Sequence, residues 1–270
     1  MAALALLALG VACGDEGNRG ASVGSPGGDR RYEGSFTVLE SAEHGPELCH
    51  MVEDSLPPQC GGLPVVGWDW DTVEGEERVG DTTWGEWHVT GTFDGERFRL
   101  TEPPGPPLLG DHDRGLDFSP ACDEPDVVDP SHGVAEWEAA TQIDGVFDSR
   151  ELVAAWVSDP GGDWDGPFVG NLVVVPGAAQ AAVARVREHY AGALCVIERD
   201  APTAVELAAV QRELTNEDAR AILGTIQIAA ADERRGVVVA TIWLVDEAAM
   251  DYADQRWGDL VELRGLLRPV

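Results

Sequence analysis

The stretch that decides the fold of the first part of the chain is Trp87-His-Val-Thr-Gly-Thr-Phe-Asp-Gly-Glu-Arg-Phe-Arg-Leu-Thr101. Apolar and polar residues alternate on both sides of Asp94-Gly95, a residue pair that two-residue hairpin turns favour. Successive side chains of a β-strand point to opposite faces, so Trp87, Val89 and Phe93 are expected to share the buried face. The pattern therefore predicts an antiparallel hairpin with one apolar and one polar face.

Short strands also precede this hairpin. Ser35-Phe-Thr-Val-Leu-Glu40 is one of them, and no convincing helical pattern interrupts residues 32–103. A sheet of few strands protects its edges best by closing on itself. We therefore predict that residues 32–103 form a β-rich domain with a small, OB-like antiparallel barrel.

The pattern changes to alternating strands and helices in residues 169–270. Thr203-Ala-Val-Glu206 is a capping box, which marks the start of a helix. Met250, Ala253 and Trp257 are expected to form the apolar face of the last helix. The whole order, β-α-β-(α)-β-β-α-β, resembles a ferredoxin-like sandwich with one extra helix.

Residues 104–168 lie between these two regions and are rich in Pro, Gly and Asp. This composition is typical of turns and loops. We predict an irregular linker that contains one short helix near residues 135–140. The chain is thus expected to be an α+β protein with two small domains.

The N-terminal residues have the composition of an export signal. Residues 2–12 are all apolar or glycine, and this segment is shorter than the roughly 20 residues that a membrane-spanning helix needs. Ala12 then precedes Cys13, as in a bacterial lipobox, although Gly10 stands where that motif prefers Leu. We expect residues 1–13 to be a signal peptide and lipobox, with a lipid on Cys13 as the only membrane contact. An ordinary cleaved signal peptide is the alternative.

Residues 14–31 contain almost no apolar side chains. Such a segment cannot bury enough surface to offset the entropy that it would lose on folding. We therefore predict a flexible tether between the lipid and the folded domains. The mature protein is expected at the outer face of the cell membrane, or secreted if the lipobox is not used.

Four further cysteines are an even number, as expected for disulfides in an exported protein. They are Cys49, Cys60, Cys122 and Cys195, and four cysteines allow three pairings. Cys49 and Cys60 enclose a short segment with Pro57-Pro58, which suits a local bridge that closes a loop. We therefore favour Cys49–Cys60 with Cys122–Cys195, which would tie the middle segment to the C-terminal domain.

The charge balance restricts the partners. The chain has 18 basic and 49 acidic residues, a formal net charge of −31, and every basic residue is Arg. This acidity argues against nucleic-acid binding, which needs a basic face, and against electrostatic docking on anionic lipids. It is compatible with cations, basic partners or a salty environment, and also with solubility alone.

The block Leu56-Pro-Pro-Gln-Cys-Gly-Gly62, followed by Gly67-Trp-Asp-Trp70, resembles a set of uncharacterised exported actinobacterial proteins. Shorter landmarks agree with this resemblance: Ala155-Trp-Val157, Leu194-Cys-Val196 and the terminal Leu267-Arg-Pro-Val270. The resemblance covers most of residues 45–270. It implies export and disulfides, and it implies no activity.

Two polar clusters are candidates for ligand binding. Trp68-Asp69-Trp70-Asp71 could hold a sugar or a cation, although alternating Trp and Asp also describes a strand with one apolar face, which we favour. Asp111, Asp113 and Asp117 resemble a calcium loop, but Cys122 occupies the twelfth position, where an EF-hand needs Glu. We regard them as weak calcium candidates and expect no other metal or cofactor.

No catalytic motif stands out in the chain. It has no phosphate loop, dinucleotide fingerprint or helical zinc spacing. The leading hypothesis is a non-catalytic lipoprotein that binds an envelope protein or a small ligand. The alternatives are a hydrolase of envelope polysaccharide with Asp/Glu acid–base residues, and a structural component of the envelope.

Overall fold

The computed structural model describes residues 30–108, 119–143, 145, 150–161, 166 and 168–270. Within them the protein has the expected mixed α+β composition, with a closed barrel followed by two three-stranded sheets and their helices. Three predictions lie outside the described residues: the signal and lipobox with Cys13, most of the tether, and Asp111 to Asp117.

Five strands close the barrel. They are β1 (Arg31–Glu40), β2 (Glu47–Cys49), β3 (Leu63–Val66), β5 (Thr82–Phe93) and β6 (Phe98–Leu100), and β4 (Glu77–Val79) extends the edge of β5. The pairing order is β1-β2-β3-β6-β5 and back to β1. Only β3 and β6 run parallel within the barrel. The two long strands, β1 and β5, pair along the whole of β1 and form the barrel's main wall.

The predicted hairpin is formed by β5 and β6. Trp87, Val89 and Phe93 are buried in the barrel core, as the alternation predicts. The turn differs from the expectation because Phe93 pairs with Phe98, which leaves four residues in the turn instead of two. The Asp94 carboxylate accepts hydrogen bonds from two N–H groups of the turn, at 2.7 and 3.0 Å, and so stabilises the longer turn.

The barrel is followed by α1 (Val134–Thr141) and a first sheet. The sheet contains β7 (Leu152–Ser158), β8 (Val169–Val174) and β9 (Ala193–Glu198), with α2 (Ala179–Arg187) connecting β8 to β9. β8 lies in the centre, antiparallel to β7 and parallel to β9, and all six of its residues are buried. The short helix α1 was expected, whereas β7 lies in the segment for which the sequence indicated no strand.

A second unit repeats this strand order. It begins with α3 (Ala204–Leu214) and α4 (Glu217–Leu223), followed by β10 (Ile226–Asp232), β11 (Val237–Ile242), α5 (Glu247–Trp257) and β12 (Val261–Gly265). β11 lies in the centre, antiparallel to β10 and parallel to β12. The two units form separate sheets, so the single ferredoxin-like sandwich is not confirmed. β7 and β9 pair with the two edges of β8, so no strand of the second unit can pair with β8.

The helix signals were correct in one helix and partly wrong in another. Thr203 and Glu206 form the predicted capping box of α3. In α5 the buried face contains Ala249, Ala253 and Trp257, whereas Met250 is 49 % exposed. The buried residues are spaced by four positions, so Met250 is displaced by about 100° around the helix axis.

The C-terminal residues return to the barrel. After β12, the chain forms β13 (Arg268–Pro269), which pairs with the first residues of β1. Leu267 is buried in the barrel core, and the ring of Trp243 lies 5.6 Å from that of Phe36. β12 therefore ends before Leu267, whose side chain belongs to the barrel core.

Both predicted disulfide pairings are present. Cys49 and Cys60 have Cα atoms 6.0 Å apart, and Cys122 and Cys195 have Cα atoms 5.8 Å apart. The first bridge closes a loop between β2 and β3. The second ties the segment before α1 to β9, across a sequence separation of 73.

Candidate functional site

The Trp68–Asp71 segment is part of the barrel's packing. The rings of Trp68, Trp70 and Trp87 contact one another edge to face, with centroids 5.1, 5.3 and 5.5 Å apart. Ring edges touch ring faces at such distances, so these indoles leave no room for a sugar or a cation between them. The arrangement supports a role in packing, but the strand that the alternation predicted is not formed, because Trp70–Thr72 is a 3-10 turn.

Two side chains of this segment have structural partners, whereas the indole N–H of Trp68 is buried without a hydrogen-bond partner among the described residues. Asp69 accepts a hydrogen bond from the N–H of Asp71 at 3.0 Å and caps the 3-10 turn Trp70–Thr72. The indole N–H of Trp70 donates to the carboxylate of Glu40 on β1. The side chain of Asp71 is exposed beside the turn. The contacts of Asp69 and Trp70 fix the segment to the barrel.

The loop closed by Cys49 and Cys60 has the opposite character and is the main candidate site. This segment, residues 50–59, is called the disulfide loop. Met51, Val52 and Leu56 are 61, 42 and 78 % exposed. Leu56 is the most exposed large apolar side chain of the described residues. Large exposed apolar patches mark surfaces for binding a partner, and these three side chains on one short loop are a candidate for such a patch.

Hydrogen bonds hold the disulfide loop in one shape. The N–H of Glu53 donates to the carbonyl of Gln59 at 2.8 Å, which joins its two arms. The Ser55 hydroxyl donates to the carbonyl of Pro57 at 2.9 Å. With the disulfide at its base, the loop is ordered before any partner arrives, so binding costs less conformational entropy.

The charge on the disulfide loop is negative. Glu53 and Asp54 are exposed between the apolar side chains. Burial lowers the pKa of His50 below its ordinary value, so this residue adds no positive charge at neutral pH. The loop therefore presents apolar side chains together with carboxylates.

The base of the loop needs a glycine. A Cβ atom at Gly62 would lie 2.4 Å from the carbonyl oxygen of Leu48, closer than real contacts allow. The N–H of Gly62 donates to the carboxylate of Glu47 at 2.9 Å. These contacts anchor the chain directly after Cys60 onto β2.

A second surface feature is a cleft of about 320 Å³ beside the first sheet. The Nδ1 atom of His132 accepts a hydrogen bond from the N–H of Ala191 at 3.2 Å, which leaves the proton of the neutral ring on Nε2. The volume lies near the lower limit of small-molecule sites. The cleft is lined by Val127, Pro130, His132, Gly133, Gly166, Phe168 and Ala193.

Sequence reasoning missed one constellation on the barrel's outer face. Ser35 on β1 lies directly opposite His88 on β5, and its Oγ is 3.2 Å from the Nδ1 of His88. The carboxylate of Glu33 lies 3.4 Å from the Nε2 of the same ring. Glu33 and Ser35 are two positions apart on a strand, which places them on one face. The position of His88 opposite Ser35 depends on the register of β1 and β5, which cannot be deduced from the sequence.

Neither metal nor membrane features are found in the described part of the chain. No group of three His, Cys, Asp or Glu residues there could hold a metal ion. None of the described helices is long and apolar enough to cross a membrane. The weak calcium candidates Asp111, Asp113 and Asp117 lie outside this part.

No protein-family model, no curated protein and no solved structure matches the chain. The resemblance to exported actinobacterial proteins therefore stays a prediction. The function has to be argued from the geometry of the sites themselves.

Proposed function

We propose that the protein is an exported lipoprotein that binds a partner protein at the cell envelope through the disulfide loop. The observation that carries this proposal is the exposure of Met51, Val52 and Leu56 on a loop that a disulfide and hydrogen bonds hold in shape. A protein gains nothing in folding stability from apolar side chains that remain in water. Complete burial of each such side chain against a partner contributes about 1.5–3 kcal/mol.

Charge suggests the chemistry of the partner. The exposed carboxylates of Glu53 and Asp54 stand between the apolar side chains, on a chain with a net charge of −31. The matching surface would have an apolar pocket with Arg or Lys residues at its rim. Such a rim would also steer the two proteins together before contact.

Two disulfides support a location outside the cytoplasm, because they persist in oxidising compartments. The lipid on Cys13 and the tether that follows it rest on the sequence pattern, and they would hold the loop near the membrane surface. Replacement of Cys13 by Ser is expected to move the protein from the membrane fraction to the released fraction. An unchanged distribution would show that the anchor is wrong.

The finer fold assignments also belong to this proposal. The closed barrel of five strands supports an OB-like first domain. The ferredoxin-like assignment has less support, because its strands form two sheets of three. Each unit keeps two parallel strands joined by a helix, but these strands are direct neighbours, whereas in the split unit of that fold another strand lies between them.

The alternative functions have weaker support from the geometry. A polysaccharide hydrolase would need two carboxylates about 5–9.5 Å apart across a sugar site. At the indoles, Asp69 caps a turn and the rings fill the space between them. A structural envelope component does not explain why the disulfide loop displays apolar side chains.

A crosslinking experiment tests the proposal in the cells that make the protein. A photo-crosslinking amino acid is placed at position 56 or, as a matched control, at position 128, where Val128 is 68 % exposed outside the loop. We expect one defined protein adduct from position 56 and none from position 128. Equal adducts from both positions, or no adduct from position 56, would contradict binding through the loop.

A further inference from the structure

The outer face of the barrel carries a chain of hydrogen-bonding groups. It runs from the Ser35 hydroxyl through the imidazole of His88 to the carboxylate of Glu33, with separations of 3.2 and 3.4 Å. A nucleophile beside a base that a third group orients is the arrangement that activates serine in hydrolases. It is recognised by the roles of its members and not by their order in the chain.

The position of the ring proton follows from the partners. A carboxylate only accepts hydrogen bonds, so the 3.4 Å contact with Glu33 favours the tautomer that has its proton on the Nε2 of His88. The neutral ring then has its lone pair on Nδ1, and the Ser35 hydroxyl is the group that donates to it. This is the tautomer that lets His88 take the proton from Ser35.

The surroundings keep the three groups in place. His88 and Gly105 exchange two backbone hydrogen bonds of 2.9 Å, which fixes the backbone of His88 from the side opposite β1. The His88 side chain is 17 % exposed, whereas Ser35 is exposed and can be reached from solvent. A substrate can therefore reach the hydroxyl without moving the base.

A backbone N–H group fixes the position of the hydroxyl. The N–H of Leu108 donates to the Ser35 Oγ at 3.0 Å. This hydrogen bond holds the Ser35 hydroxyl in place beside His88.

We propose that Ser35, His88 and Glu33 form a nucleophilic serine site that hydrolyses small carboxylic esters. Ser35 Oγ forms a bond to the carbonyl carbon, its proton passes to His88 Nδ1, and Glu33 stabilises the imidazolium. The carbon–oxygen bond of the ester breaks, and His88 returns the proton to the leaving alcohol. Water then cleaves the acyl-serine with the same base, so that ester and water give acid and alcohol. This activity is separate from partner binding by the disulfide loop.

Hydrolysis of p-nitrophenyl acetate by the full chain tests the proposal. We expect Ser35→Ala and His88→Gln each to lower the protein-dependent rate at least tenfold, since general-base catalysis contributes roughly 10²–10⁴-fold. Ser41→Ala and His44→Gln are matched controls on the same barrel and should retain the rate; His44 also lies near a carboxylate, 3.7 Å from Glu47. Thermal unfolding of each variant verifies that it folds.

Covalent labelling provides a second readout on the unaltered chain. A fluorophosphonate ester should form a serine–phosphorus bond with loss of fluoride, and peptide mapping should place the label on Ser35. This result does not depend on how any variant folds. A wild-type rate in Ser35→Ala or His88→Gln, or a label absent from Ser35, would overturn the proposal.

Discussion

Two neighbouring segments of the barrel differ in the burial of their apolar side chains. Between β3 and β4, Trp68 and Trp70 pack against Trp87 and the barrel core. Between β2 and β3, the disulfide loop leaves Met51 and Leu56 in water. The segment with the more conspicuous residues has a role in packing, and the plainer segment is the better candidate for binding. Exposure, and not residue type, separates the two.

The largest expected effect on stability comes from Trp87, the β5 residue against which the packed segment lies. Trp87→Ala removes the indole that contacts both other rings, and we expect the free energy of unfolding to fall by about 3–5 kcal/mol. Leu56→Ala is the comparison in the disulfide loop and should change it by less than about 0.5 kcal/mol. Urea unfolding followed by Trp fluorescence measures both. Similar losses in the two variants would remove the contrast between the segments.

The next effect concerns the bridge that shapes the loop. Replacing Cys49 and Cys60 together by Ser frees a loop with a sequence separation of 11, and chain entropy predicts a loss of about 3 kcal/mol. The same change at Cys122 and Cys195 frees a separation of 73 and should cost about 4 kcal/mol. Only the first pair should abolish the adduct from position 56. Loss of the adduct in both would indicate general unfolding.

A smaller effect is expected at the indole N–H of Trp70. Trp70→Phe keeps an aromatic ring in the cluster but removes the donor to Glu40. We expect a loss of about 1–2 kcal/mol, because the carboxylate of Glu40 then loses its partner. Trp70→Phe in a Glu40→Met background, which has no oxygen acceptor for the indole N–H, is the control, and it should cost less. An equal cost in both backgrounds would show that the hydrogen bond contributes little.

The smallest expected effect is a pH dependence of the free energy of unfolding that comes from His50 in the disulfide loop. Burial lowers the pKa of His50, so folding favours its neutral form. The unfolded chain takes up the proton first as pH falls below about 6.5, and the stability present above that pH is lost towards the folded pKa. His50→Gln should therefore lose less stability than the wild type between about pH 7.5 and 5.5. A parallel pH dependence in both chains would contradict the burial of this ring.

Local patterns predicted the parts of the fold whose signals lie close together in sequence. The hairpin face of Trp87 and Val89 and the capping box at Thr203 are examples. The pairing of Cys49 with Cys60 could also be predicted from the sequence, because the loop between them is short. The strand order after residue 150 was harder to predict. β7 has no strong alternation of apolar and polar residues, and its pairing with β8 decides how that region is divided into sheets.

The candidate sites were less predictable, because they depend on burial and register. The composition of residues 50–59 does not indicate which of their apolar side chains face water. The approach of Ser35 to His88 follows from the pairing of β1 with β5. Both features arise from contacts between segments that are distant in sequence.

The central claim is that Leu56 serves binding and not stability. The most direct measurement combines Leu56→Asp with a photo-crosslinking amino acid at position 52, where Val52 is also exposed. We expect the Leu56→Asp variant to unfold at the same temperature as the chain with Leu56. The adduct from position 52 should disappear in this variant. An undiminished adduct from position 52 in a folded Leu56→Asp chain would contradict it.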